Sequence, residues 1–436
     1  MKIPEIKFKS HPILSNLHID FRKDVDIVSG AENQDNIYQN IIFVGENGVG
    51  KSTLLQELHN YGCSELKDIH GKTIIKADGS EYIVDKINKI QVEVNTRRKE
   101  EGAFGRFESK LLRSDIKYQE GLRDLESKFY SGINSMSSNV SGDLVANFAV
   151  NRFSPDDLKR IFSNDRMAHA FAKGQEVRMH HSMRARTFDE MHNPKKVGVT
   201  DYLDGLSSGE QEIVIRLLYL ISNSNQFTKY LDFVLVDEPE NSLHPKWQLK
   251  ILEYYKNLFE CQGGYWIGPD GPIDKKKRVV QLFVATHSEN ILKSAMEQGG
   301  WLIIRMYRDK NNKIASERVE SSERRLPNLT FAEIRYLVFG ISTTDYHNEL
   351  YGQLQVAQVS EESIKKADSF IKSKRKLVKG NLCYKTIRKH KNGTETIYET
   401  LPTYIRNKIH HPENNEPSFT DEQLEASIKL LRELLK

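Results

Sequence analysis

The chain has 436 residues, of which 38% are hydrophobic and 28% are charged; this composition is typical of a globular protein, and the length predicts two or three structural units. The formal net charge of +4 is small for this length and does not by itself indicate nucleic-acid binding. The three cysteines are widely separated and lack the spacing of a metal site, and no apolar run is long enough to span a bilayer. We therefore expect a cytoplasmic protein with reduced thiols, without a signal peptide or a membrane segment.

The first 45 residues are predicted to be rich in β-structure. Apolar and polar side chains alternate at 6–9 and again at 17–21, and a third short strand is predicted at 27–30. An apolar run at 41–44 then has the character of a buried strand.

A glycine-rich loop follows this run and reads Gly45-Glu46-Asn47-Gly48-Val49-Gly50-Lys51-Ser52. It matches G-x-x-x-x-G-K-[ST], and the helical segment that starts at Thr53 completes the strand–loop–helix context of a phosphate-binding loop. Glycines let backbone N–H groups close around phosphate oxygens, and the helix N-terminus adds positive potential. We expect Lys51 to reach the β- and γ-phosphates of a nucleotide, and Ser52 to hold Mg²⁺ through its hydroxyl.

Residues 63–200 carry weaker signals. Strands are predicted at 72–76 and within 82–94. The charged segment 99–130 is predicted to be helical, with a thin apolar stripe made of Leu111, Leu112, Leu122 and Leu125. The segment 173–196 is the most basic local patch, and this pattern favours a solvated loop over a surface for phosphate backbones or a partner.

A second motif, Leu206-Ser207-Ser208-Gly209-Glu210-Gln211, opens a segment with helical apolar spacing. Ser207 or Ser208 is a natural N-cap, and Glu210 suits the positive potential of a first helical turn. Taken alone, the motif predicts an ordinary capped helix. Its position between the motifs on either side indicates a further role.

The third motif is a buried-strand pattern that ends in two carboxylates, Phe233-Val234-Leu235-Val236-Asp237-Glu238-Pro239. Ligands bind at the carboxyl ends of strands in open α/β sheets, and paired carboxylates there are costly unless a metal ion or a proton offsets them. We expect Asp237 to help hold Mg²⁺ and Glu238 to take a proton from an attacking water. A fourth motif, the apolar strand 279–286, ends next to His287.

These four motifs, in this order, resemble those of the ATP-binding cassette (ABC) ATPases, most closely the soluble branch of SMC-like, RecF-like and OLD-family proteins and prokaryotic defence ATPases. By this resemblance, 45–52 corresponds to Walker A, 206–211 to the signature motif and 233–238 to Walker B with its catalytic glutamate. The segment 241–244 corresponds to the D-loop, and His287 to the switch histidine. Ser208 stands where transporters usually have glycine. No glutamine is assigned to the Q-loop, for which Gln119 and Gln175 are the two candidates.

The resemblance, which covers roughly residues 1–310, implies an α/β fold. It predicts an ABC-type P-loop nucleotide-binding domain, a mixed sheet with an antiparallel N-terminal β-layer and a helical layer, with 63–200 as a helical or lateral insertion. It also implies ATP and Mg²⁺ as ligands and a homodimer or larger oligomer, in which ATP lies between two subunits arranged head to tail. The residues implied in nucleotide binding are Gly45, Glu46, Asn47, Gly48, Val49, Gly50, Lys51, Ser52 and Thr53 of one subunit, and Ser207, Ser208, Gly209 and Glu210 of the other.

The C-terminal part, 311–436, is predicted to be a mainly helical domain, with a hairpin around 382–400 and a final helix over 421–435. A further helix is predicted to begin at Thr330 as its N-cap, with Glu333 at capping-box spacing. Between these elements, Arg406 and His411 have four residues between them, and Asn407 follows the arginine. The pattern resembles the R-x(4–6)-H motif of HEPN ribonucleases. Histidine can act as a general acid or base and arginine can hold a phosphate, so catalysis is one reading; a structural Arg–His turn is the other. His347, Asn348 and Glu349 are weaker candidate companions.

The order of domains, an ATPase domain followed by a mainly helical C-terminal domain, resembles that of the Septu-type defence ATPase, whose nuclease is a separate partner. It also resembles that of the anticodon nucleases. We therefore expect an ATPase that regulates or assembles with a nuclease effector in antiphage defence. A self-contained ribonuclease that uses Arg406 and His411, and a DNA-repair clamp ATPase, are the alternatives. Nucleic acid remains open as a partner, and a membrane is not expected.

Overall fold

The computed structural model describes residues 3–23, 36–62, 72–77, 80–85, 90–95, 108–112, 162, 166–167, 206–210, 213, 231–259, 266–268, 271–273, 281–359, 363–374, 383–389, 395–412 and 418–436. The chain divides into two compact units, Met1–Arg318 and Val319–Lys436.

The strands of the first unit are, in chain order, β1 (Glu5–Ser10), β2 (His18–Asp20), β3 (Asn40–Gly45), β4 (Lys72–Ala77), β5 (Ser80–Asp85), β6 (Ile90–Asn95), β7 (Glu108–Leu112), β8 (Leu231–Asp237), β9 (Trp266–Gly268), β10 (Gly271–Ile273), β11 (Gln281–Thr286), β12 (Trp301–Arg308) and β13 (Ile314–Arg318). Its helices are α1 (Lys51–Gly62), α2 (Pro245–Gln248), α3 (Ile251–Phe259) and α4 (Glu289–Gln298). This unit, which includes β13, ends at Arg318, whereas the sequence analysis placed the first domain at 1–310 and the C-terminal domain at 311–436.

A six-stranded mixed sheet forms the centre of this unit, in the order β13-β12-β3-β11-β8-β7. The pairs from β12 to β7 are parallel, and β13 is antiparallel to β12. The middle strands β3 and β11 are buried along their whole length. Because parallel strands end at the same edge, the residues after β3, β8 and β11 come together there.

A second, five-stranded antiparallel sheet has the order β2-β1-β6-β5-β4. Apolar side chains of β1 and β2 share one core with β3, α1 and β12, including Ile6, Phe8, Ile19, Phe43 and Leu54. The predicted α/β class, with a mixed sheet and an antiparallel N-terminal layer, is confirmed. The strand predicted at 27–30 lies outside the described residues.

One element differs from the prediction. Residues 108–112 were expected within a helix, yet they form β7, which pairs in parallel with β8 through Leu111↔Leu235 and Leu112↔Val236. The edge of β8 offers a row of backbone donors and acceptors, and pairing with them overrides a weak local helical preference. The rest of 99–130 lies outside the described residues.

The second unit contains the helices α5 (Phe331–Ile334), α6 (Thr344–Leu354), α7 (Ile364–Ser373), α8 (Leu401–His410) and α9 (Asp421–Leu434), and the antiparallel hairpin β14 (Cys383–Lys389) and β15 (Glu395–Thr400). Short π-helical segments, Arg335–Phe339 and Gln355–Val359, follow α5 and α6. The predicted hairpin and final helix are confirmed. Tyr346, Leu350, Ile405 and Ile428 are central members of the apolar core.

Helix caps were predicted correctly in part. Thr330 Oγ1 accepts from Glu333 N at 3.1 Å and begins α5, as expected. The carboxylate of Glu333, however, accepts from the backbone N–H groups of Arg325 and Leu326. It therefore anchors the segment before the helix, while a reciprocal capping box forms between Thr420 and Gln423 at the start of α9.

None of the helices in the described ranges combines the length and the apolar character that crossing a membrane requires.

Candidate nucleotide-binding site

The phosphate-binding loop connects β3 to α1 and is closely packed on both sides. A Cβ at Gly45, where φ is 153°, would lie 2.1 Å from the Met306 backbone oxygen of β12. A Cβ at Gly50, where φ is 83°, would lie 2.7 Å from Leu14 Cδ2 in the β1–β2 loop. Gly45 therefore requires glycine for space as well as for backbone conformation, whereas Gly50 requires it for its left-handed backbone.

Lys51 is the first residue of α1, and only 6% of it is exposed. Its ammonium donates to the Gly45 and Glu46 backbone oxygens, each at 3.0 Å. Burial lowers the pKa of Lys51 to about 8, and the nearby carboxylates of Glu238, Asp237 and Glu240 oppose this shift. The structure thus brings the predicted lysine into the electrostatic range of the predicted carboxylates.

Arg308, at the end of β12, contacts the phosphate-binding loop, and no sequence motif predicts this contact. Its Nη2 donates to the Gly48 backbone oxygen at 2.9 Å, and its Nη1 donates to the Asn312 backbone oxygen at 3.2 Å. The guanidinium thereby connects the β12–β13 turn to the phosphate-binding loop. An arginine at a strand end carries no local signal of such a contact.

Asp237 and Glu238 lie where β8 ends. Asp237 is buried, whereas Glu238 is half-buried. Glu238 N donates to the Ala285 backbone oxygen at 2.9 Å, although its φ is 45°. Asn241 Nδ2 donates to Glu238 Oε2 at 2.9 Å. Glu238 has a left-handed backbone conformation at the point where the chain leaves the sheet. Such sparsely populated conformations are common at functional sites.

His287 follows β11 and lies opposite Glu238, with its Nε2 3.9 Å from Glu238 Oε1. Burial lowers the pKa of His287, the positive charge of Lys51 lowers it further, and Glu238 opposes both effects. The imidazole is therefore neutral at pH 7, with one nitrogen able to donate and the other able to accept. Lys51, Asp237, Glu238 and His287, predicted from separate motifs, come together at this edge of the sheet.

The donor set fits a magnesium ion of the kind that accompanies a nucleotide. Ser52 is exposed at the start of α1 and offers a hydroxyl, and Asp237 offers a carboxylate. Such Mg²⁺ ions take one or two protein oxygens, with phosphates and waters completing the shell. A metal site that is built from protein side chains alone needs more ligands than these two. In the described parts of the chain, no group of three or more His, Cys, Asp or Glu side chains could form such a site.

The signature segment begins a helix and exposes its two serines, Ser207 and Ser208, while Gly209 and Glu210 are buried. Glu210 accepts from Arg166 Nη2 at 3.0 and 2.9 Å and from Ser207 N at 2.6 Å. A Cβ at Gly209 would lie 2.5 Å from the Ser242 backbone oxygen. The glutamate thus supports the serine turn from within its own subunit, and the serines remain accessible.

The C-terminal motif lies at the end of α8 in the second unit. Arg406 Nη1 donates to Asn407 Oδ1 at 3.1 Å, and His411 N donates to the Asn407 backbone oxygen at 2.8 Å. Asn407 is buried, and Arg406 and His411 are both half-buried. Burial lowers the pKa of His410 between them, as do the charges of Arg406 and His411. Arg406 therefore contacts Asn407 through its side chain, whereas His411 contacts it through the backbone hydrogen bond that ends α8.

His347, the weaker candidate, is fully buried on α6. Its Nε2 lies 2.9 Å from Ser427 Oγ of α9, and burial lowers its pKa to about 3, although the Asn348 side chain opposes the shift. It is a neutral packing residue between two helices. Gln119, Gln175, Gln211 and the basic patch at 173–196 lie outside the described residues.

The chain is similar to solved structures of SMC head domains, at low sequence identity. The SMC head domain from Thermotoga maritima is 14% identical, with a TM-score of 0.33, over 73% of this chain and 100% of that chain. The Smc head domain with an extended coiled coil bound to the C-terminal domain of ScpA, derived from Pyrococcus furiosus, is 13% identical, with a TM-score of 0.32, over 73% of this chain and 97% of that chain.

No curated protein matches the sequence. A family model does match, over residues 41–293, which include the phosphate-binding loop, the signature segment, the β8 carboxylates and His287. The chain therefore belongs to the P-loop ATPase family described as "AAA domain, putative AbiEii toxin, Type IV TA system".

Proposed function

We propose that this protein binds and hydrolyses ATP, and that this activity regulates a nuclease effector with which it assembles. One observation is the main support for ATP hydrolysis. The Lys51 ammonium, at the start of α1, is close enough to Asp237 and Glu238, at the end of β8, to interact with their charges. A cation for phosphates, a metal-binding carboxylate and a candidate base therefore share one sheet edge.

Each residue has a role in this proposal. Lys51 binds the β- and γ-phosphates, and the loop N–H groups around Gly48 and Gly50 add further donors. Glu238 accepts a proton from the attacking water, and the neutral His287 beside it hydrogen-bonds to the reacting groups. Ser52 and Asp237 would hold Mg²⁺, which neutralises phosphate charge when bound.

We further propose that two subunits dimerise head to tail around ATP. The exposure of Ser207 and Ser208 supports this arrangement, because a hydroxyl pair at a helix start can bind phosphate oxygens of a neighbouring subunit. Glu210 would act indirectly, since its carboxylate is held by Arg166 and Ser207 N. Gly209 would keep the turn close to Ser242.

The biological role that we propose is antiphage defence in the cytoplasm. The family description, which names a toxin of a toxin–antitoxin system, supports a role of this kind. The second unit, Val319–Lys436, would contact the partner nuclease.

A second candidate is ribonuclease activity in the chain itself. It is favoured by Arg406 and His411, which lie on either side of Asn407 at the end of α8. An arginine can hold a phosphate and a histidine can transfer a proton, and cleavage of RNA requires both of these roles.

Phosphate release from ATP by the purified chain, alone and as Lys51→Ala, tests the enzymatic part. We expect hydrolysis by the wild type and none by Lys51→Ala, because the variant lacks the charge on the phosphates. Lys429→Ala is a matched control, since this exposed lysine pairs with Glu425 on α9. Equal rates for wild type and Lys51→Ala would refute the site.

A further inference from the structure

Glu240 occupies a position that the motifs do not explain. It belongs to the turn between β8 and α2, three residues after Asp237. Its Oε1 accepts from Thr286 Oγ1 at 2.8 Å and from His287 N at 2.7 Å. One carboxylate oxygen of the β8 turn thus binds the end of β11 at two points, one of them the backbone of the candidate switch histidine.

The environment of Glu240 is unusual for a carboxylate. Burial raises its pKa, although the hydrogen bonds from His287 and Thr286 oppose the shift. Its second oxygen, Oε2, is buried and accepts no hydrogen bond from the part of the chain that the structure describes. A buried carboxylate is unfavourable unless its contacts offset the loss of water. Among the described residues, Thr286 and His287 donate hydrogen bonds to this carboxylate.

A second side chain joins the same two segments. Gln248 Nε2 donates to the Leu243 backbone oxygen at 3.0 Å, and its Oε1 accepts from Ser288 Oγ at 2.8 Å and from Asn290 Nδ2 at 3.0 Å. Glu240 binds residues 286–287, and Gln248 binds residues 288 and 290. The segment that carries Glu238 therefore contacts the His287 backbone directly and also contacts the residues before and after it.

We propose that Glu240 is a positioning residue of ATP hydrolysis, which holds His287 opposite Glu238. The proposal rests on the ATPase function proposed above. Glu238 and Glu240 belong to one turn, and the His287 imidazole lies 3.9 Å from Glu238 Oε1. A hydrogen bond to His287 N sets the direction in which the ring leaves the backbone. Without it, Glu238 and His287 are free to separate, whereas the hydrogen bonds from Lys51 to the phosphate-binding loop do not involve Glu240.

The expected effect is therefore confined to the chemical step. Misplacement of a reacting group by about 1 Å costs on the order of 10²-fold in rate. For Glu240→Ala we expect kcat to fall roughly 10- to 100-fold, with the KM and the affinity for a non-hydrolysable ATP analogue essentially unchanged. Glu240→Gln retains an acceptor oxygen for Thr286 Oγ1 and His287 N, so it should restore most of kcat.

The experiment measures kcat, KM and analogue affinity for the full chain as wild type, Glu240→Ala, Glu240→Gln and Thr286→Val, with a thermal melt of each. Thr286→Val removes the donor to Glu240 Oε1 and the acceptor of Ser288 N without creating a cavity. It reports on the contact even if Glu240→Ala folds poorly, and a smaller fall in kcat is expected because the bond from His287 N remains. The double variant Glu240→Ala/His287→Ala should be no slower than His287→Ala alone, because Glu240 acts through the histidine.

Several outcomes would overturn the inference. These are an unchanged kcat in folded Glu240→Ala, a Glu240→Gln variant as slow as Glu240→Ala, and a double variant in which the two losses multiply. A rise in KM without loss of kcat would assign Glu240 to binding and would also refute it. Each of these leaves the ATPase function intact, whereas absence of hydrolysis by the wild type refutes the proposed function and this inference together.

Discussion

The Lys51 ammonium donates to the Gly45 backbone oxygen at 3.0 Å, from a site where the side chain is almost fully buried. The loop's own backbone therefore holds the positive charge before any phosphate is bound. A bound phosphate must compete with these carbonyl groups for the Lys51 ammonium. The protonation state of Lys51 therefore determines how strongly the phosphate binds.

We first predict that ATP affinity falls as the pH rises above about 8. Burial lowers the pKa of Lys51 from 10.5 to about 8, so the free protein carries the charge below this pH and loses it above. Phosphates favour the charged form and raise the pKa on binding, which couples binding to proton uptake. Affinity should therefore be constant below pH 7 and decrease by up to about tenfold per pH unit above 8.

Calorimetry at pH 6.5 to 9.5, in buffers of different ionisation enthalpy, measures both the affinity and the proton uptake. Lys51→Arg is the control, since arginine stays charged throughout this range and should take up no proton. An affinity of the wild type that is flat to pH 9.5 would contradict the assignment of Lys51 to the phosphates.

A second prediction concerns Glu238→Gln. The amide retains the shape and can still interact with Asn241 and His287, but it cannot accept a proton from water. Hydrolysis should slow by roughly 10²- to 10⁴-fold while ATP stays bound. Size-exclusion chromatography with light scattering should then show a trapped dimer or larger assembly with ATP and not with ADP. Wild-type turnover in this variant would exclude Glu238 as the base.

Ser208→Arg tests the head-to-tail arrangement. Ser208 is exposed at the start of its helix, so an arginine is accommodated in the isolated subunit and obstructs only a neighbour. We expect hydrolysis to be lost and ATP binding by the monomer to be retained. Mixing this variant with Lys51→Ala subunits should restore at most one working site per pair. Loss of ATP binding in the single variant would rule out a role in a neighbour's site.

The C-terminal motif is tested by Arg406→Ala and His411→Ala. If the chain is a ribonuclease, both variants should lose RNA cleavage and spare ATP hydrolysis, because holding the phosphate and transferring the proton act as one unit. If the motif is structural, Arg406→Ala should melt at a lower temperature, because it loses the side-chain bond to Asn407 Oδ1. His411→Ala keeps its backbone N–H bond to the Asn407 oxygen, so this contact by itself predicts no loss of stability. Cleavage that persists in His411→Ala, or that requires a co-purified partner, leaves only the regulatory function.

A fifth prediction concerns stability in the second unit. Asp368 of α7 is buried and accepts from Glu399 N at 2.9 Å, Thr400 N at 3.1 Å and Thr400 Oγ1 at 2.7 Å, which fixes the junction between β15 and α8. Asp368→Ala removes both acceptor oxygens, and with them all three hydrogen bonds, and should reduce the free energy of unfolding by roughly 3 kcal/mol. Asp368→Asn, which keeps one acceptor oxygen, should cost less. Denaturant unfolding measures both, and equal stability of Asp368→Ala and wild type would show that the junction is held by other contacts.

The start of α5 shows which contacts the local sequence can predict and which it cannot. Thr330 begins α5 as the spacing predicted, because an N-cap depends on residues within one helical turn. The direction of the Glu333 carboxylate was not predictable, since its acceptor role depends on Arg325 and Leu326, which fold back onto the helix from outside it.

The sequence by itself determined the phosphate-binding loop, the carboxylates after β8 and the position of His287. These follow from short motifs, and parallel strands must end at one edge, so the motifs converge once the sheet order is given. Only the tertiary structure decided that residues 108–112 form β7, that Arg308 contacts Gly48 and that Glu240 holds the backbone of His287. Each of these depends on a partner distant in sequence, and local propensities are too weak to determine which distant groups meet.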